Sequence, residues 1–238
     1  CPGSIFVGQK EFNCSAAHHS QDLVEALAHS CNVYFYRLAL LVGPDILNEY
    51  SAKFGLGKLT GIELPYETAG NVPSVLSRRI KLRNWFDGDT ANFGIGQGDL
   101  LITPMQAVRF MAVLANGGKL VRPYIIDKIG LKDSEIKAPL NLGLDPQTIR
   151  VVVKGLRQAV ESPEGTASIG HIDNLEIAGK TGTAQVYNKS SHGWFVGFFP
   201  LHRPKVVFCV FLENAGSSVH AVILARHIFT RLLEEKLI

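Results

Sequence analysis

The chain has 238 residues, of which 46% are hydrophobic, and its formal net charge at pH 7 is +3. This length suits one large domain or two small ones, and the hydrophobic content is enough for a sizeable core. The small charge, without basic clusters interleaved with aromatic residues, argues against nucleic-acid binding. No apolar run is long enough to span a bilayer. The chain starts at Cys1 without a methionine, so we expect a fragment whose leader or anchor lies elsewhere.

The first part of the chain is predicted to be mainly helical. Residues 1–19 are rich in glycine, proline and polar residues and are expected to be irregular. Ser20 is a predicted N-cap for a short helix that ends at the turn Ser30-Cys31-Asn32. A second helix continues to Gly43-Pro44, and a third one runs to about Phe54.

A polar stretch separates these helices from the next ones. Residues 65–100 are predicted to form a long surface loop, and loops of that length are often functional. Within it, residues 94–98 read Gly-Ile-Gly-Gln-Gly but lack a preceding apolar strand and a P-loop lysine, so phosphate binding is not expected. Thr103-Pro104-Met105-Gln106 is a capping box with proline at the first helical position and predicts a helix. Another helix is predicted from Pro146 to Val160.

The last part of the chain is predicted to contain a sheet. Three segments alternate or run apolar as successive antiparallel strands do: residues 175–186, 193–199 and 205–212. Residues 217–236 are predicted to form a closing amphipathic helix. The fold class is therefore α/β (α+β), with a mostly helical lobe over residues 1–165 and an antiparallel sheet flanked by helices over residues 166–238.

One predicted strand carries side chains suited to a carboxylate. Lys180-Thr181-Gly182-Thr183 joins two apolar runs and is expected to be an edge strand facing a cleft. The ammonium of Lys180 supplies charge, and the hydroxyls of Thr181 and Thr183 supply donors. Gly182 lets a substrate backbone come close. A lone K-T-G triplet is a weak signal, because such triplets are common by chance.

Ser30-Cys31-Asn32 precedes Lys180-Thr181-Gly182 in the order of the S-x-N and K-T-G motifs of penicillin-binding proteins and serine β-lactamases. The chain resembles a class B penicillin-binding protein over essentially its whole length, and most of all the elongation-type peptidoglycan D,D-transpeptidase. Five stretches carry the resemblance: residues 30–36, 54–62, 94–98 with 103–104, 165–167 and 180–185. It implies a penicillin-binding/serine β-lactamase-like transpeptidase fold, in which residues 94–98 form a tight turn with a packing role.

One part of the family pattern is missing. The family nucleophile is the serine of an S-x-x-K motif that precedes S-x-N, and no such motif precedes Ser30. The single S-x-x-K, Ser134-Glu135-Ile136-Lys137, follows it in a charged segment and is expected to be a solvated turn. We therefore expect a transpeptidase domain that is incomplete at its N-terminus, lacks its nucleophile and first strands, and is inactive by itself.

The resemblance implies cross-linking of peptidoglycan stem peptides through a serine acyl-enzyme, with β-lactams as covalent inhibitors. Lys180 would make the cleft positive, and Thr181 and Thr183 would hold the substrate carboxylate. The Thr183 N–H would be an oxyanion donor. Ser30 would relay a proton to the leaving amine, and Asn32 would hold the substrate amide. Taken alone, Ser30 and Asn32 would rather indicate a helix-capping pair between two helices, and the strand that carries Lys180 reverses this preference.

A zinc site is predicted beside Ser30. Cys1, Cys14, Cys31 and His18 make a tetrahedral set of three thiolates and one imidazole, with spacing looser than a C-x-x-C knuckle. Some elongation-type relatives carry zinc next to this motif, and the resemblance favours His18 over His19. The role would be structural. The alternative is a Cys1–Cys14 disulfide with Cys31 buried, as suits an exported protein. No organic cofactor is expected.

Two other functions remain open at this point: a non-catalytic β-lactam sensor or scaffold, and a relative of the serine β-lactamases. Residues 94–104 and Cys31 argue against a relative of the serine β-lactamases. The resemblance implies a parent anchored in the inner (cytoplasmic) membrane, with its catalytic domain on the periplasmic side. It also implies a glycosyltransferase and scaffold proteins as partners.

Overall fold

The computed structural model describes residues 1–134 and 136–238, so Glu135 of the S-x-x-K segment lies outside the described residues. The helices are α1 (Leu23–Ala28), α2 (Asn32–Val42), α3 (Pro44–Lys53), α4 (Val75–Ile80), α5 (Asp87–Gly94), α6 (Pro104–Ala115), α7 (Pro146–Glu161) and α8 (Ser218–Glu234). The strands are β1 (Ser4–Val7), β2 (Lys10–Asn13), β3 (Lys119–Leu120), β4 (Lys128–Ile129), β5 (Lys132–Asp133), β6 (Leu140–Asn141), β7 (Ala178–Val186), β8 (Lys189–Phe199) and β9 (Val206–Leu212).

The main sheet is antiparallel and has the strand order β7-β8-β9. Within the described residues, β7 and β9 therefore each have one unpaired edge. In β7, Thr181 lies opposite Phe195 and Thr183 lies opposite Gly193 of β8. The prediction that Lys180 to Thr183 belong to an edge strand is confirmed.

Helices cover both faces of this sheet. On one face, Phe195 and Phe199 pack in a buried cluster with Val222 and Phe229 of α8. On the other face, Phe198 packs against α6 and α7. Successive side chains of a strand point to opposite faces, so one apolar run can fill both layers of the core. This packing fixes the position of β7 beside the cleft.

The helix that follows Ser30 is joined closely to the segment of residues 94–98. Gly94 ends α5, and a Cβ added there would lie 2.3 Å from the Ala39 Cβ and 3.1 Å from the Phe35 carbonyl oxygen, both in α2. Only a residue without a side chain allows this approach. Gly94 therefore anchors the start of that segment to α2, as the expected packing role requires.

Two expectations for the first residues of the chain are wrong. Residues 1–19 contain the hairpin of β1 and β2, which turns through Gly8 at φ +60°. Strands of four residues carry too few alternating positions to be recognised by periodicity. The N-cap of α1 is Asp22, not Ser20. Its carboxylate accepts a hydrogen bond from the Glu25 N–H at 2.8 Å, and the Asp22 N–H donates to the Glu25 carboxylate.

The long loop predicted over residues 65–100 contains the short helices α4 and α5, so that expectation is also wrong in part. The capping box at Thr103 is confirmed, since its hydroxyl accepts from the Gln106 N–H at 3.2 Å. The predicted helix from Pro146, the three strands and the closing helix are confirmed. Across the described residues, no helix combines the length and apolarity needed to cross a bilayer.

Candidate active site and metal-ligand cluster

A cleft of about 880 Å³ separates the free edge of β7 from the turn that precedes α2. All six residues predicted for catalysis or substrate binding line this cleft: Ser30, Asn32, Lys180, Thr181, Gly182 and Thr183. Its size is typical of ligand sites. Neither Ser134 nor Lys137 lines it, so the serine and the lysine of this later S-x-x-K are not part of the site.

A chain of polar contacts crosses the cleft. The Lys180 ammonium donates a hydrogen bond to the Ser30 Oγ, although 150 positions separate the two residues. Thr166 completes the group, because its Oγ1 lies 3.3 Å from the Ser30 Oγ and accepts from the Thr181 Oγ1 at 3.0 Å. Three hydroxyls and one ammonium are thus held together, which is an arrangement able to bind an anion and to move a proton.

The side chains of the three residues of the S-x-N turn point in different directions because of the local backbone conformation. Ser30 has φ +54°, a left-handed conformation that reverses the chain between α1 and α2. Cys31 is fully buried and is the N-cap residue of α2, without a side-chain capping bond. The Asn32 carboxamide donates to the Asn13 carbonyl oxygen at 3.2 Å. The side chains of Ser30 and Asn32 therefore do not cap α2, and the helix-cap alternative is wrong.

The threonines and glycine of β7 have distinct surroundings. The Thr183 Oγ1 accepts from the Ser218 N–H, at the start of α8, at 3.4 Å. A Cβ added to Gly182 would lie 3.3 Å from the Trp194 Cβ, so β7 packs tightly on β8 at this point. One edge of β7 is paired with β8, the Thr183 side chain contacts the start of α8, and the other edge of β7 lines the cleft.

Burial lowers the pKa of Lys180 to about 8 from its ordinary value of 10.5. Its amine is therefore able to exchange a proton near neutral pH, which an exposed lysine does rarely. Because the folded-state pKa lies below the unfolded one, the unfolded chain binds more protons between pH 8 and 10.5. The contribution of this group to the free energy of unfolding therefore rises with pH across that window.

We expect competitive acetylation of the folded chain, followed by mass spectrometry of the peptide that contains Lys180, to give half-protonation at about pH 8. The control is the same chain in concentrated urea, in which the midpoint should return towards 10.5. Equal midpoints in the two states would contradict the burial of this amine.

Sequence reasoning gave no role to Thr166 or to the side chain of Gln97. Gln97 lines the cleft, where its Nε2 donates to the Thr183 carbonyl oxygen at 2.8 Å and its Oε1 accepts from the Gln185 N–H at 3.4 Å. Both residues lie in stretches that carry the family resemblance. The motifs therefore marked these positions, although they gave no role to the two side chains. Residues 94–98 contribute a side chain to the site in addition to their packing.

Cys1, Cys14, His18 and Cys31 meet on the inner side of the S-x-N turn. One ligand atom from each lies within 4.8 Å of the others. The His18 Nδ1 is 3.4 Å from the Cys14 Sγ and 3.6 Å from the Cys1 Sγ. Zinc–sulfur and zinc–nitrogen bonds of about 2.3 and 2.0 Å at tetrahedral angles place such atoms about 3.5 Å apart. All four cysteines are free, so no Cys1–Cys14 disulfide is formed.

The electrostatics of the cluster also suit a metal ion. Burial opposes ionisation of the Cys14 thiol, but backbone N–H groups, first that of Val33, outweigh it and lower its pKa. Burial, helped by repulsion from His29, lowers the pKa of His18 and favours its neutral, ligating form. Burial raises the pKa of Cys31, a shift that a bound cation would oppose. The donor set therefore fits zinc.

The fold and the cleft together define a class of protein. Residues 2–234 match the family described as "Penicillin binding protein transpeptidase domain". The chain belongs to this family, and the mixed α/β fold with an antiparallel sheet is confirmed.

Among individual relatives, the chain is 36% identical to the peptidoglycan D,D-transpeptidase MrdA of Haemophilus influenzae, over 92% of this chain and 37% of that protein. The solved structure of PBP2 from Pseudomonas aeruginosa in complex with WCK 5153 is 32% identical, with a TM-score of 0.87, over 98% of this chain and 55% of that one. The complex of PBP2 and MreC from Helicobacter pylori gives 28% identity and a TM-score of 0.88, over 100% of this chain and 45% of that one. The chain thus spans well under half of the length of the curated relative.

Proposed function

We propose that these residues are the larger part of the transpeptidase domain of a peptidoglycan D,D-transpeptidase, which cross-links stem peptides through a serine acyl-enzyme and is acylated by β-lactams. The observation that carries the proposal is the contact of the Lys180 ammonium with the Ser30 hydroxyl across the cleft. The relatives named as transpeptidases support it. The matched family and these relatives do not favour a sensor, a scaffold or a β-lactamase, so these alternatives are not retained.

The cleft would bind the C-terminal D-Ala-D-Ala of a stem peptide along β7. The Lys180 ammonium and the threonine hydroxyls would hold the terminal carboxylate, as charged donors do. The Thr183 N–H would stabilise the oxyanion that forms when a serine attacks the penultimate carbonyl carbon. The proposal requires a serine that is not among these 238 residues.

Proton transfer follows from the same group of residues. The proton that the attacking serine loses, as its oxygen bonds to the carbonyl carbon, would pass through the Lys180–Ser30 pair to the amine that leaves when the C–N bond to the terminal D-alanine breaks. The Ser30 hydroxyl, bonded to Lys180, would deliver a proton to the leaving amine. The amine of a second stem peptide then takes the acyl group, gives up one proton and restores the serine hydroxyl. A lysine with a pKa of about 8 suits a group that alternates between the two protonation states.

We also propose a structural zinc ion held by Cys1, Cys14, His18 and Cys31. Four protein ligands leave no open position, so the metal would fix conformation and take no part in acyl transfer. The Asn32 N–H donates to the Cys14 Sγ at 3.2 Å, which connects the cluster directly to the S-x-N turn. The cluster would hold Ser30 and Asn32 in the orientation that the cleft requires.

For the complete protein we propose an anchor in the cytoplasmic membrane and a catalytic domain on the periplasmic side, where peptidoglycan is assembled. A scaffold protein and a glycosyltransferase are the proposed partners. In support, the Helicobacter pylori relative is solved as a complex with MreC. Another similar structure, with 27% identity and a TM-score of 0.82, is described as structural coordination of polymerization and crosslinking by a peptidoglycan synthase complex.

Labelling with a fluorescent penicillin tests the function. The full-length protein should form a covalent adduct that survives denaturation and is blocked by unlabelled penicillin, and the 238-residue chain alone should not. The matched control is Ser134→Ala in the full-length protein, which should label normally. The proposal fails if the full-length protein stays unlabelled, or if Ser134→Ala abolishes its labelling.

A further inference from the structure

The side-chain amide of Gln97 occupies part of the free edge of β7. It makes two hydrogen bonds to the backbone of that strand, donating to the Thr183 carbonyl oxygen at 2.8 Å and accepting from the Gln185 N–H at 3.4 Å. By using one N–H and its carbonyl oxygen, the carboxamide thus pairs with β7 in the way a residue of a neighbouring strand would. Gln97 is a short mimic of a paired strand.

The register of the sheet shows which backbone groups this mimic leaves free. In a strand, the N–H and C=O of alternate residues point to the same side. Because the bonded groups of Thr183 and Gln185 point away from β8, the backbone groups of Thr181 and Thr183 also point into the cleft. The Lys180 ammonium bonds to the Thr181 carbonyl oxygen at 3.3 Å, in agreement with this orientation. The Thr183 N–H remains open, whereas the Thr183 C=O is occupied.

The turn that carries Gln97 is packed at its start and has a glycine on each side of Gln97. Gly94 is packed against α2. Gly96 and Gly98 flank Gln97 with φ of +75° and +74°, and a Cβ on Gly96 would meet nothing within 4 Å. Glycine at these two positions serves backbone conformation. The Gln97 N–H donates to the Asn92 carbonyl oxygen at 2.9 Å, so the backbone of the turn is held, and rotation of the Gln97 side chain alone would release β7.

We propose that Gln97 is a positioning residue that competes with the ligand for the Thr183 carbonyl oxygen. It keeps this acceptor satisfied in the free protein and releases it when the amide N–H of an extended peptide or of an acylamino β-lactam pairs with β7. By retaining the Gln185 N–H, it also limits how far along β7 a ligand can pair. This inference rests on the proposed transpeptidase function.

The test compares two β-lactams on the full-length protein. Benzylpenicillin has an acylamino N–H to offer to Thr183, whereas a carbapenem with a hydroxyethyl side chain has none. Gln97→Met keeps the side-chain length and loses both hydrogen bonds. We expect it to raise the second-order rate constant of acylation by benzylpenicillin about three- to tenfold, which is the effect of removing one competing hydrogen bond. The rate constant for the carbapenem should change less than about twofold.

Gln147→Met, at an exposed glutamine of α7, is the matched control and should change neither rate. Equal slowing of both drugs by Gln97→Met would show that Gln97 is only a structural support. Slowing of benzylpenicillin alone would show that Gln97 binds the ligand and does not compete with it. Either result overturns the inference. Gln97→Ala serves as a second variant if the methionine variant is unstable.

Hydrogen exchange supplies a readout that does not need acylation. The Gln185 N–H should exchange faster in Gln97→Met than in the unaltered protein, measured on peptides that cover residues 184–187, and should be unchanged in Gln147→Met. Failure of the unaltered protein to react with either drug would refute the proposed function instead. An unchanged exchange rate in Gln97→Met would overturn the inference itself.

Discussion

Lys180→Met is expected to slow acylation of the full-length protein by benzylpenicillin about 100- to 1,000-fold. Methionine keeps the length of the side chain but removes the ammonium that bonds to the Ser30 Oγ. A ligand carboxylate in the cleft would then lack its cation, and removing one partner of a buried charge pair costs about 2–5 kcal/mol. Stopped-flow or gel-based acylation rates measure the effect.

The control for this experiment is Lys189→Met, because Lys189 is exposed at the start of β8. It should acylate at nearly the rate of the unaltered protein. A loss smaller than tenfold in Lys180→Met would contradict the role given to this ammonium. Equal losses in the two variants would point to a general effect of lysine removal and would contradict it too.

The second large effect is expected at the metal cluster. The full-length protein, prepared without chelator, should contain about one zinc per chain, and Cys14→Ser should contain less than about a fifth of that. Structural zinc contributes directly to folding free energy, so the midpoint of thermal unfolding should fall by about 10 °C in the variant. Elemental analysis and calorimetry provide the two measurements.

Cys209→Ser is the matched control, since Cys209 lies on β9 and is not one of the four clustered residues. It should retain the metal. The zinc proposal would be refuted by a metal-free preparation in which thiol counting and mass spectrometry find a Cys1–Cys14 bridge. Acylation should also weaken when the metal is removed, because the Asn32 N–H is bonded to the Cys14 Sγ.

Much of this fold follows from local patterns. The capping box at Thr103 and the alternation along β7 and β8 each rest on neighbours within a few positions, where side-chain chemistry and backbone conformation are directly coupled. The hairpin of residues 4–13 escaped prediction because its strands are too short to show a period. The cap at Asp22 was missed because Ser20 is an equally good capping residue by type.

The site was predicted in part, for a different reason. Lys180 and Ser30 were recognised by their motifs, and the structure brings them into contact. Thr166 and Gln97 were not assigned roles, since their contacts with Ser30 and Thr183 span 136 and 86 positions of the chain. No periodicity or spacing rule connects residues over such distances. Only the packed sheet and helices reveal which hydroxyl and which amide reach the cleft.

The outer edge of β9 has a practical consequence. This strand reads Val-Val-Phe-Cys-Val-Phe-Leu, without proline or charge, and one side of it lacks a neighbour in the part of the chain that the structure describes. Backbone donors and acceptors left open on such a strand recruit other chains and promote precipitation. In inhibitor screens on these 238 residues in isolation, compounds that promote aggregation would therefore be scored as false hits. A longer polypeptide, or an added peptide that pairs with this edge, would be the better reagent.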